Sequence, residues 1–177
     1  KKDGDDYIIN GQKMWITNAT QADYFCTLLN TSDDKPHENK SLVIIPSNLP
    51  GVEVGEKIDK LGLRTSDTAP VYFDNVRVPM RYRIGEEGSG FSMQMQQFQE
   101  ERIFLAASTL VILDDCIEQT ISFCKDRSAF GKRIIDNQAI QFRLAELQIE
   151  IEALRSLIYR ACEDFVDGKD MTYLASM

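Results

Sequence analysis

Residues 7 to 80 contain short runs of β-branched and aromatic residues, each closed by glycine, proline, asparagine or aspartate. Such runs predict β-strands, and here they are YIINGQKMWIT, DYFCTLLN, SLVIIP, GVEVGEKI and APVYFDNVRVP. Asn10 and Gly11 predict a hairpin inside the first run, because a type I′ turn requires positive φ at both central positions. Since no helical pattern separates the strands, we expect an antiparallel sandwich or barrel.

After the segment IGEEGSG the apolar positions recur in alternating steps of four and three residues, which predicts helices. The first stripe extends to about Phe123 and consists of Phe91, Met95, Phe98, Arg102, Leu105, Thr109, Ile112 and Cys116. The second stripe consists of Ile140, Leu144, Leu147, Ile151, Leu154, Ile158, Ala161 and Phe165. Asp136 is its predicted N-cap and Gly168 its predicted end. At 1.5 Å per residue each helix is about 45 to 55 Å long.

These patterns predict an α+β fold with a boundary between Pro79 and Gly90. We expect residues 1–85 to form part of an antiparallel β-barrel or sandwich domain, and residues 86–177 part of a helical domain. Two long antiparallel helices cannot bury their seams alone, so we expect an incomplete four-helix bundle that further sequence or another subunit completes. The closing segment DMTYLASM resembles the start of another helix, so we expect the chain to be a fragment.

The charge of the chain narrows the classes of function. A net charge of -8 argues against a surface that binds nucleic acid or an anionic membrane. The sequence contains no run of about 18 apolar residues, so we expect no membrane span. The four cysteines show no metal-ligand spacing and the only histidine is His37, so we expect no zinc or haem site. The thiols are interpreted as reduced and intracellular.

Two carboxylates and an arginine interrupt the first helical stripe. On a helical wheel Glu100 points nearly opposite Phe98, whereas Glu101 lies roughly 60° from Phe98 and roughly 40° from Leu105. Glu101 therefore pairs with a neighbouring helix while Arg102 extends outward, or it lies at the lip of an apolar pocket. In such a pocket its pKa would rise toward that of a general base.

Strand alternation places Trp15 and Thr17 on one face and Met14 and Ile16 on the other. An indole beside a hydroxyl can cradle a flat heteroaromatic ring, although a lone tryptophan on a strand is also typical of a core. We interpret the segment RTSDT as a polar loop.

The segment DRSAFGK places Arg127 and Lys132 on either side of Phe130, where the first helix ends. It predicts either a phosphate-binding loop near a helix N-terminus or a basic C-terminus that complements the helix dipole.

Four segments in this order resemble the acyl-CoA dehydrogenase family over all 177 residues. They are NGQKMWITN, LGLRTSDT followed by VYFDNVRVP, GEEGSGF, and DRSAFGK followed by NQAIQFRLAEL. The resemblance implies a β middle domain followed by a helical bundle, a homotetramer built as a dimer of dimers, and FAD bound between domains and subunits.

The resemblance also implies roles for particular positions. Those that match cofactor-binding residues are Trp15, Thr17, Arg127, Phe130 and Gln138. Those that match the lining of the acyl-CoA channel are Phe98, Gln99 and Arg102. The chain departs from some relatives at Ala129, where they have threonine, and at Gln99, where they have an acidic residue.

In the long-chain and isovaleryl-type branches of the family the catalytic base is a glutamate directly before the channel arginine, and Glu101 matches it. Most other members take this carboxylate from a later loop, which we expect to lie outside this fragment. The resemblance thus implies that Glu101 removes the α-proton of an acyl-CoA while FAD accepts the β-hydrogen as hydride, giving a trans-2-enoyl-CoA. Electron-transfer flavoprotein is the implied electron acceptor.

Two other functions remain open: an acyl-CoA oxidase, which passes electrons to oxygen, and a non-catalytic scaffold or assembly subunit. Kinship implies the mitochondrial matrix in a eukaryote and the cytoplasm in a bacterium. We expect the fragment alone to be inactive.

Overall fold

The computed structural model describes residues 1–177, which divide into two compact units, residues 1–94 and 95–177. The strands are Lys2–Asp3 (β1), Asp6–Thr17 (β2), Tyr24–Asn30 (β3), Lys40–Pro46 (β4), Val52–Val54 (β5), Thr68–Pro79 (β6), Arg83–Ile84 (β7), Ser128–Ala129 (β8) and Lys132–Arg133 (β9). The helices are Gly90–Asp126 (α1), Gln138–Val166 (α2) and Thr172–Ser176 (α3). The predicted α+β class with antiparallel sheets is confirmed. No helix is both long and apolar enough to cross a membrane.

The first unit contains two antiparallel sheets that enclose a common core. One sheet has the strand order β1-β2-β6-β5 and the other β3-β4-β7. Alternate residues of the central strands β4 and β6 are turned into this core, among them Val43, Ile45, Val76 and Val78, which are fully buried. The rings of Phe25 and Phe73 form an edge-to-face pair at a centroid distance of 6.5 Å, which joins the two sheets.

The predicted hairpin at Asn10 and Gly11 is wrong, because β2 continues through both residues for 12 residues in all. Asn10 instead lies opposite a β-bulge. Between the pairs Ile9–Val76 and Gly11–Phe73, the single residue Asn10 of β2 faces Asp74 and Asn75 of β6. Its side-chain oxygen accepts a 2.9 Å hydrogen bond from the backbone N–H of Asn75, which has a φ of +50°. The side chain thus satisfies a donor that the bulge removes from the ladder.

The GEEGSGF segment sets the start of α1 against β4. A Cβ on Gly90 would lie 2.6 Å from the backbone nitrogen of Leu42, so only glycine fits there. The hydroxyl of Ser41 accepts a hydrogen bond from the backbone N–H of Gly88 at 3.0 Å. The first turn of α1 is therefore fixed by backbone proximity to a buried strand.

The helical unit packs α1 against α2 along one narrow face. Leu110, Ile151 and Ile158 are its buried apolar centre. Half-buried side chains extend this face at Ala106, Ala107, Leu113, Ile117 and Leu154. Asp114 accepts two 2.8 Å hydrogen bonds from Arg155, which fixes the register of the two helices.

The predicted stripe is confirmed for α2 but only partly for α1. Ile151, Ile158 and Ala161 of α2 are buried as expected. On α1 the stripe is exposed from Arg102 onward, and Leu105 and Ile112 are more than half exposed. The reason is that α1 is apolar around more than one side, and α2 covers the side that carries Leu110.

The start of α2 is one residue from its predicted position. Asn137, not Asp136, is the N-cap residue. The Asp136 carboxylate instead pairs with the guanidinium of Arg133 at 2.8 Å, and this hydrogen-bonded pair lowers the pKa of Asp136.

Candidate active site

The end of β2 presents an indole and a hydroxyl on the surface of the first unit. Met14 and Trp15 together lie opposite Pro70, between the pairs Lys13–Val71 and Ile16–Ala69. Pro70 has no backbone N–H, so a bulge opposite it does not cost the ladder a hydrogen bond from that residue. The bulge interrupts the predicted alternation.

The bulge places Trp15 in the left-handed region, with φ +58°. For a bulky residue this backbone conformation costs on the order of 1–3 kcal/mol. Trp15 is 72% exposed, Thr17 is also exposed and Ile16 is half-buried. Met14 was predicted to share the face of Ile16, and it is exposed instead. We call Trp15, Ile16 and Thr17 the β2 rim.

Asp67 was interpreted as part of a polar loop, and the structure shows it to be 6% exposed. Its carboxylate accepts hydrogen bonds from the backbone N–H of Thr20 at 2.9 Å, the hydroxyl of Thr20 at 2.7 Å and the side-chain amide of Gln21 at 2.8 Å. Its carbonyl oxygen accepts from the N–H of Asn18 at 3.1 Å. Donation from the N–H and hydroxyl of Thr20 holds the pKa of Asp67 below its usual value.

A cavity of about 430 Å³ lies beside the β2 rim, and Thr17, Phe25 and Phe73 contribute to its lining. Lys13 also borders this cavity. Its ammonium group donates to the carbonyl oxygen of Leu28 at 2.8 Å, and burial lowers its pKa.

Glu101 and Glu100 both lie on the exposed surface of α1. The side-chain amide of Gln97, one turn earlier, donates a 3.0 Å hydrogen bond to Glu101. Neither alternative stated for Glu101 is observed in this chain, because its hydrogen bond comes from its own helix and Leu105 beside it is 62% exposed. Glu101 is therefore an accessible carboxylate that a single amide orients.

The three predicted channel residues lie close to Glu101 on α1. Phe98 is half-buried and Arg102 is exposed. Gln99 is engaged within the protein, because its side-chain amide donates a 2.9 Å hydrogen bond to the hydroxyl of Thr172. Arg102 borders a cavity of about 350 Å³ whose lining includes Ile158 and Leu174.

The DRSAFGK segment forms a two-residue hairpin between α1 and α2. Phe130 and Gly131 have φ of +53° and +81°, as a type I′ turn requires, and Ser128 pairs with Arg133 across it. The ring of Phe130 is completely exposed at the tip. Arg127 at the base and Gln138 at the first position of α2 are also exposed, so the hairpin presents an aromatic ring flanked by a cation and an amide.

The predicted residues thus form three groups. Trp15 and Thr17 lie together on the β2 rim, while Glu101 lies with the channel residues near the start of the helical unit. The hairpin group around Phe130 follows the other end of α1. Because Glu101 and Arg127 are 26 positions apart along this helix, about 39 Å at 1.5 Å per residue, these two groups do not meet within one chain.

Two family models match the chain: "Acyl-CoA dehydrogenase, middle domain" over residues 1–76 and "Acyl-CoA dehydrogenase, C-terminal domain" over residues 88–177. The short/branched chain specific acyl-CoA dehydrogenase, mitochondrial, of Bos taurus is 36% identical over 99% of this chain and 41% of its own length. The crystal structure of acyl-CoA dehydrogenase from Geobacillus kaustophilus is 39% identical, with a TM-score of 0.92, over 99% of this chain and 47% of its own. The structure of the prolyl acyl carrier protein oxidase AnaB is 28% identical, with a TM-score of 0.94, over 99% and 47%.

The chain belongs to the acyl-CoA dehydrogenase family. The resemblance stated from its sequence segments is confirmed. The chain spans less than half the length of the relatives it matches.

Proposed function

We propose that the protein catalyses the FAD-dependent α,β-dehydrogenation of an acyl-CoA thioester, giving a trans-2-enoyl-CoA in fatty acid or branched-chain amino acid catabolism. Family membership over the whole chain supports this reaction class. The observation that carries the proposal is the accessible carboxylate of Glu101. Glu101 directly precedes Arg102 in the sequence and accepts a hydrogen bond from Gln97. The piece represented by these 177 residues is proposed to be inactive alone.

Glu101 is proposed as the general base. The α-hydrogen of a thioester is weakly acidic, and its removal requires a carboxylate oxygen within about 3 Å in a productive pose. Glu101 is exposed, and the hydrogen bond from Gln97 to its Oε1 restricts the orientation of the carboxylate. Arg102, Phe98 and Gln99 are proposed to line the acyl-CoA channel, with the guanidinium of Arg102 offering donors to polar groups of the substrate.

The β2 rim fits a flavin by the chemistry of its side chains. A largely exposed indole offers an apolar face to a planar ring, and the neighbouring hydroxyl of Thr17 offers a donor to a ring nitrogen. When bound, FAD supplies an acceptor for the hydride that leaves the β-carbon of the substrate.

The hairpin group is proposed to hold the FAD of a second subunit. Arg127, the residue after α1, lies about 39 Å from Glu101 along the helix axis, so the two do not meet within one chain. The exposed ring of Phe130, the cation of Arg127 and the amide of Gln138 suit a dinucleotide. The proposed assembly is a homo-oligomer, a dimer of dimers when intact, and the uncovered apolar side chains of α1 and α2 support it.

The test is Glu101→Gln in the full-length flavoprotein, mixed anaerobically with acyl-CoAs of graded length. We expect the rate of flavin bleaching by substrate to fall roughly 10²- to 10⁴-fold, with FAD still bound. The matched control is Glu100→Gln, which alters the neighbouring exposed carboxylate and should bleach at the wild-type rate. Undiminished bleaching in Glu101→Gln would place the base elsewhere.

An oxidase is the second candidate, since the AnaB oxidase superimposes on this chain with a TM-score of 0.94. Oxygen consumption during turnover would favour it, whereas rapid reduction of electron-transfer flavoprotein would favour the dehydrogenase. A colourless full-length protein that acyl-CoA does not reduce would indicate the non-catalytic scaffold. By analogy with the mitochondrial relative of Bos taurus, the proposed location is the mitochondrial matrix in a eukaryote and the cytoplasm in a bacterium.

A further inference from the structure

The β2 rim is held in an unfavourable backbone conformation that something must maintain. Trp15 and Asn18 both have positive φ, +58° and +62°, and they enclose Ile16 and Thr17. Asparagine adopts this conformation readily, whereas a tryptophan does so only where its surroundings impose it. The residues that fix the chain just after Trp15 therefore determine how the indole and the Thr17 hydroxyl are presented.

Those residues converge on Asp67. The pairs Ile16–Ala69 and Thr17–Thr68 attach the rim to β6, and the carbonyl of Asp67 continues this ladder by accepting from Asn18 at 3.1 Å. Beyond the ladder, the carboxylate of Asp67 anchors the short 3₁₀ turn Ala19–Gln21 through three hydrogen bonds.

Asp67 is distinctive in its burial as well as its bonding. It is the one aspartate, glutamate, lysine, arginine or histidine among the buried residues of the chain. Its donors are neutral amide and hydroxyl groups, and no lysine or arginine pairs with it. Burying a charge carries a desolvation cost that an apolar residue would avoid, and the three hydrogen bonds to the turn offset that cost.

We propose that Asp67 is a positioning residue that holds the β2 rim, and with it Trp15 and Thr17, in the conformation that receives the flavin ring. It acts through the turn Asn18–Gln21 and touches neither substrate nor cofactor. This inference rests on the proposed function for the identity of the ligand. The restriction of Trp15 side-chain motion can be measured without any ligand.

The test is Asp67→Asn in the full-length protein, with any tryptophan outside these 177 residues replaced by phenylalanine. The readout is the fluorescence anisotropy of Trp15, the only tryptophan among the 177 residues. Asparagine keeps the shape of aspartate but replaces two charged acceptor oxygens with one neutral acceptor and one donor. It can retain the bonds from Thr20 only if the Gln21 amide rotates to accept, and every remaining bond is weaker without the charge. We expect a larger fast component in the anisotropy decay without FAD. In the full-length protein we expect FAD affinity about tenfold lower, because the rim must be reordered on binding.

Two matched controls separate positioning from stability. Ile45→Val destabilises the same unit through its core and should leave the motion of Trp15 unchanged. Asp23→Asn removes an exposed carboxylate near the turn that forms no side-chain hydrogen bond, and it should have no effect. If Asp67→Asn fails to fold, Thr20→Val, which removes one donor and keeps the carboxylate, should loosen Trp15 in the same direction by a smaller amount.

The outcomes are distinct. Unchanged Trp15 motion in a folded Asp67→Asn variant, or in Thr20→Val where the first variant does not fold, overturns the proposal and leaves the proposed function standing. Increased motion with lowered FAD affinity supports both. Increased motion with unaltered FAD affinity supports the hold of Asp67 on the rim and contradicts the flavin contact of Trp15 and Thr17.

Discussion

The β unit and the helical unit enclose their apolar side chains to different extents. The first has eleven buried hydrophobic residues in one cluster, whereas the second has three. Two sheets that pack face to face cover each other's apolar faces, but two helices cover only one strip of each other. The large apolar side chains left exposed on α1 and α2 include Phe104, Leu105, Val111, Ile112, Phe142 and Ile149.

This difference shows where the stability of the chain resides. A unit with a closed core loses free energy of unfolding when a core side chain is shortened, wherever the substitution falls within the core. A unit with exposed apolar faces loses free energy of unfolding only when the shortened side chain lies where its two helices contact each other. The helical unit is therefore the part whose stability depends on additional helices or a second subunit.

The largest expected effect is in the core of the β unit. Ile45 is completely buried, so Ile45→Ala should lower the free energy of unfolding of this unit by about 2–5 kcal/mol. Urea titration followed by Trp15 anisotropy measures it. Met14→Ala, at an exposed position of the same unit, should change it by less than about 0.5 kcal/mol. Equal effects of the two substitutions would contradict the closed core.

A smaller effect should distinguish the two sides of α1. Leu110→Ala should destabilise the helical unit by about 2–3 kcal/mol, the low end for a buried leucine, because Leu110 lies at the centre of a small buried cluster. Leu105→Ala should cost less than about 0.5 kcal/mol, since Leu105 is 62% exposed. Far-ultraviolet ellipticity in urea, at protein concentrations low enough to avoid association, measures both. A larger loss for Leu105→Ala would show that the face predicted from sequence is the one that packs.

The smallest effect concerns acid and salt. The pKa of Asp67 is lowered by donation from Thr20 and that of Asp164 by the hydrogen bond from Lys169. Each carboxylate therefore stabilises its unit above the unfolded-state pKa of about 3.9, and loses this contribution as pH falls through the lower folded-state value. The difference in urea midpoint between wild type and Asp67→Asn, or wild type and Asp164→Asn, should be largest near neutral pH and vanish in acid.

High salt should reduce the contribution of Asp164 to stability but not that of Asp67. Asp164 is part of a surface ion pair with Lys169, so its contribution should shrink as salt rises to about 1 M. Asp67 has neutral donors in a buried position, so its contribution should persist. A contribution from Asp67 that salt removes would mean that its hydrogen bonds are open to solvent.

The turn predicted at Asn10 and Gly11 and the turn observed at Phe130 and Gly131 show what local sequence can and cannot predict. Asn10 and Gly11 are the stronger hairpin signal, yet β2 continues through them because its pairing with β6 extends on both sides. The observed type I′ turn has Phe130 at a position where asparagine is preferred. There the short connection between α1 and α2 imposes the turn, and Gly131 supplies the one residue that adopts positive φ freely.

In the candidate site, too, the sequence located some residues and missed others. The periodicity of the helices located Glu101 beside Phe98 and Arg102, because neighbours on a helix are fixed by local geometry. Asp67 was missed, since nothing in RTSDT distinguishes a buried carboxylate from one in a solvated loop. The partners of Asp67, Thr20 and Gln21, are more than 40 positions away in sequence.

The sequence by itself determined the α+β class, the presence of two long helices and the family of the chain, because strand and helix periodicities are local and the family segments are specific in their order. Only the tertiary structure decided which side of α1 is covered, where β2 bulges and that Asp67 is buried beneath the β2 rim. Each of these depends on which distant segment packs alongside, and pairing between distant segments leaves no periodic trace in either one.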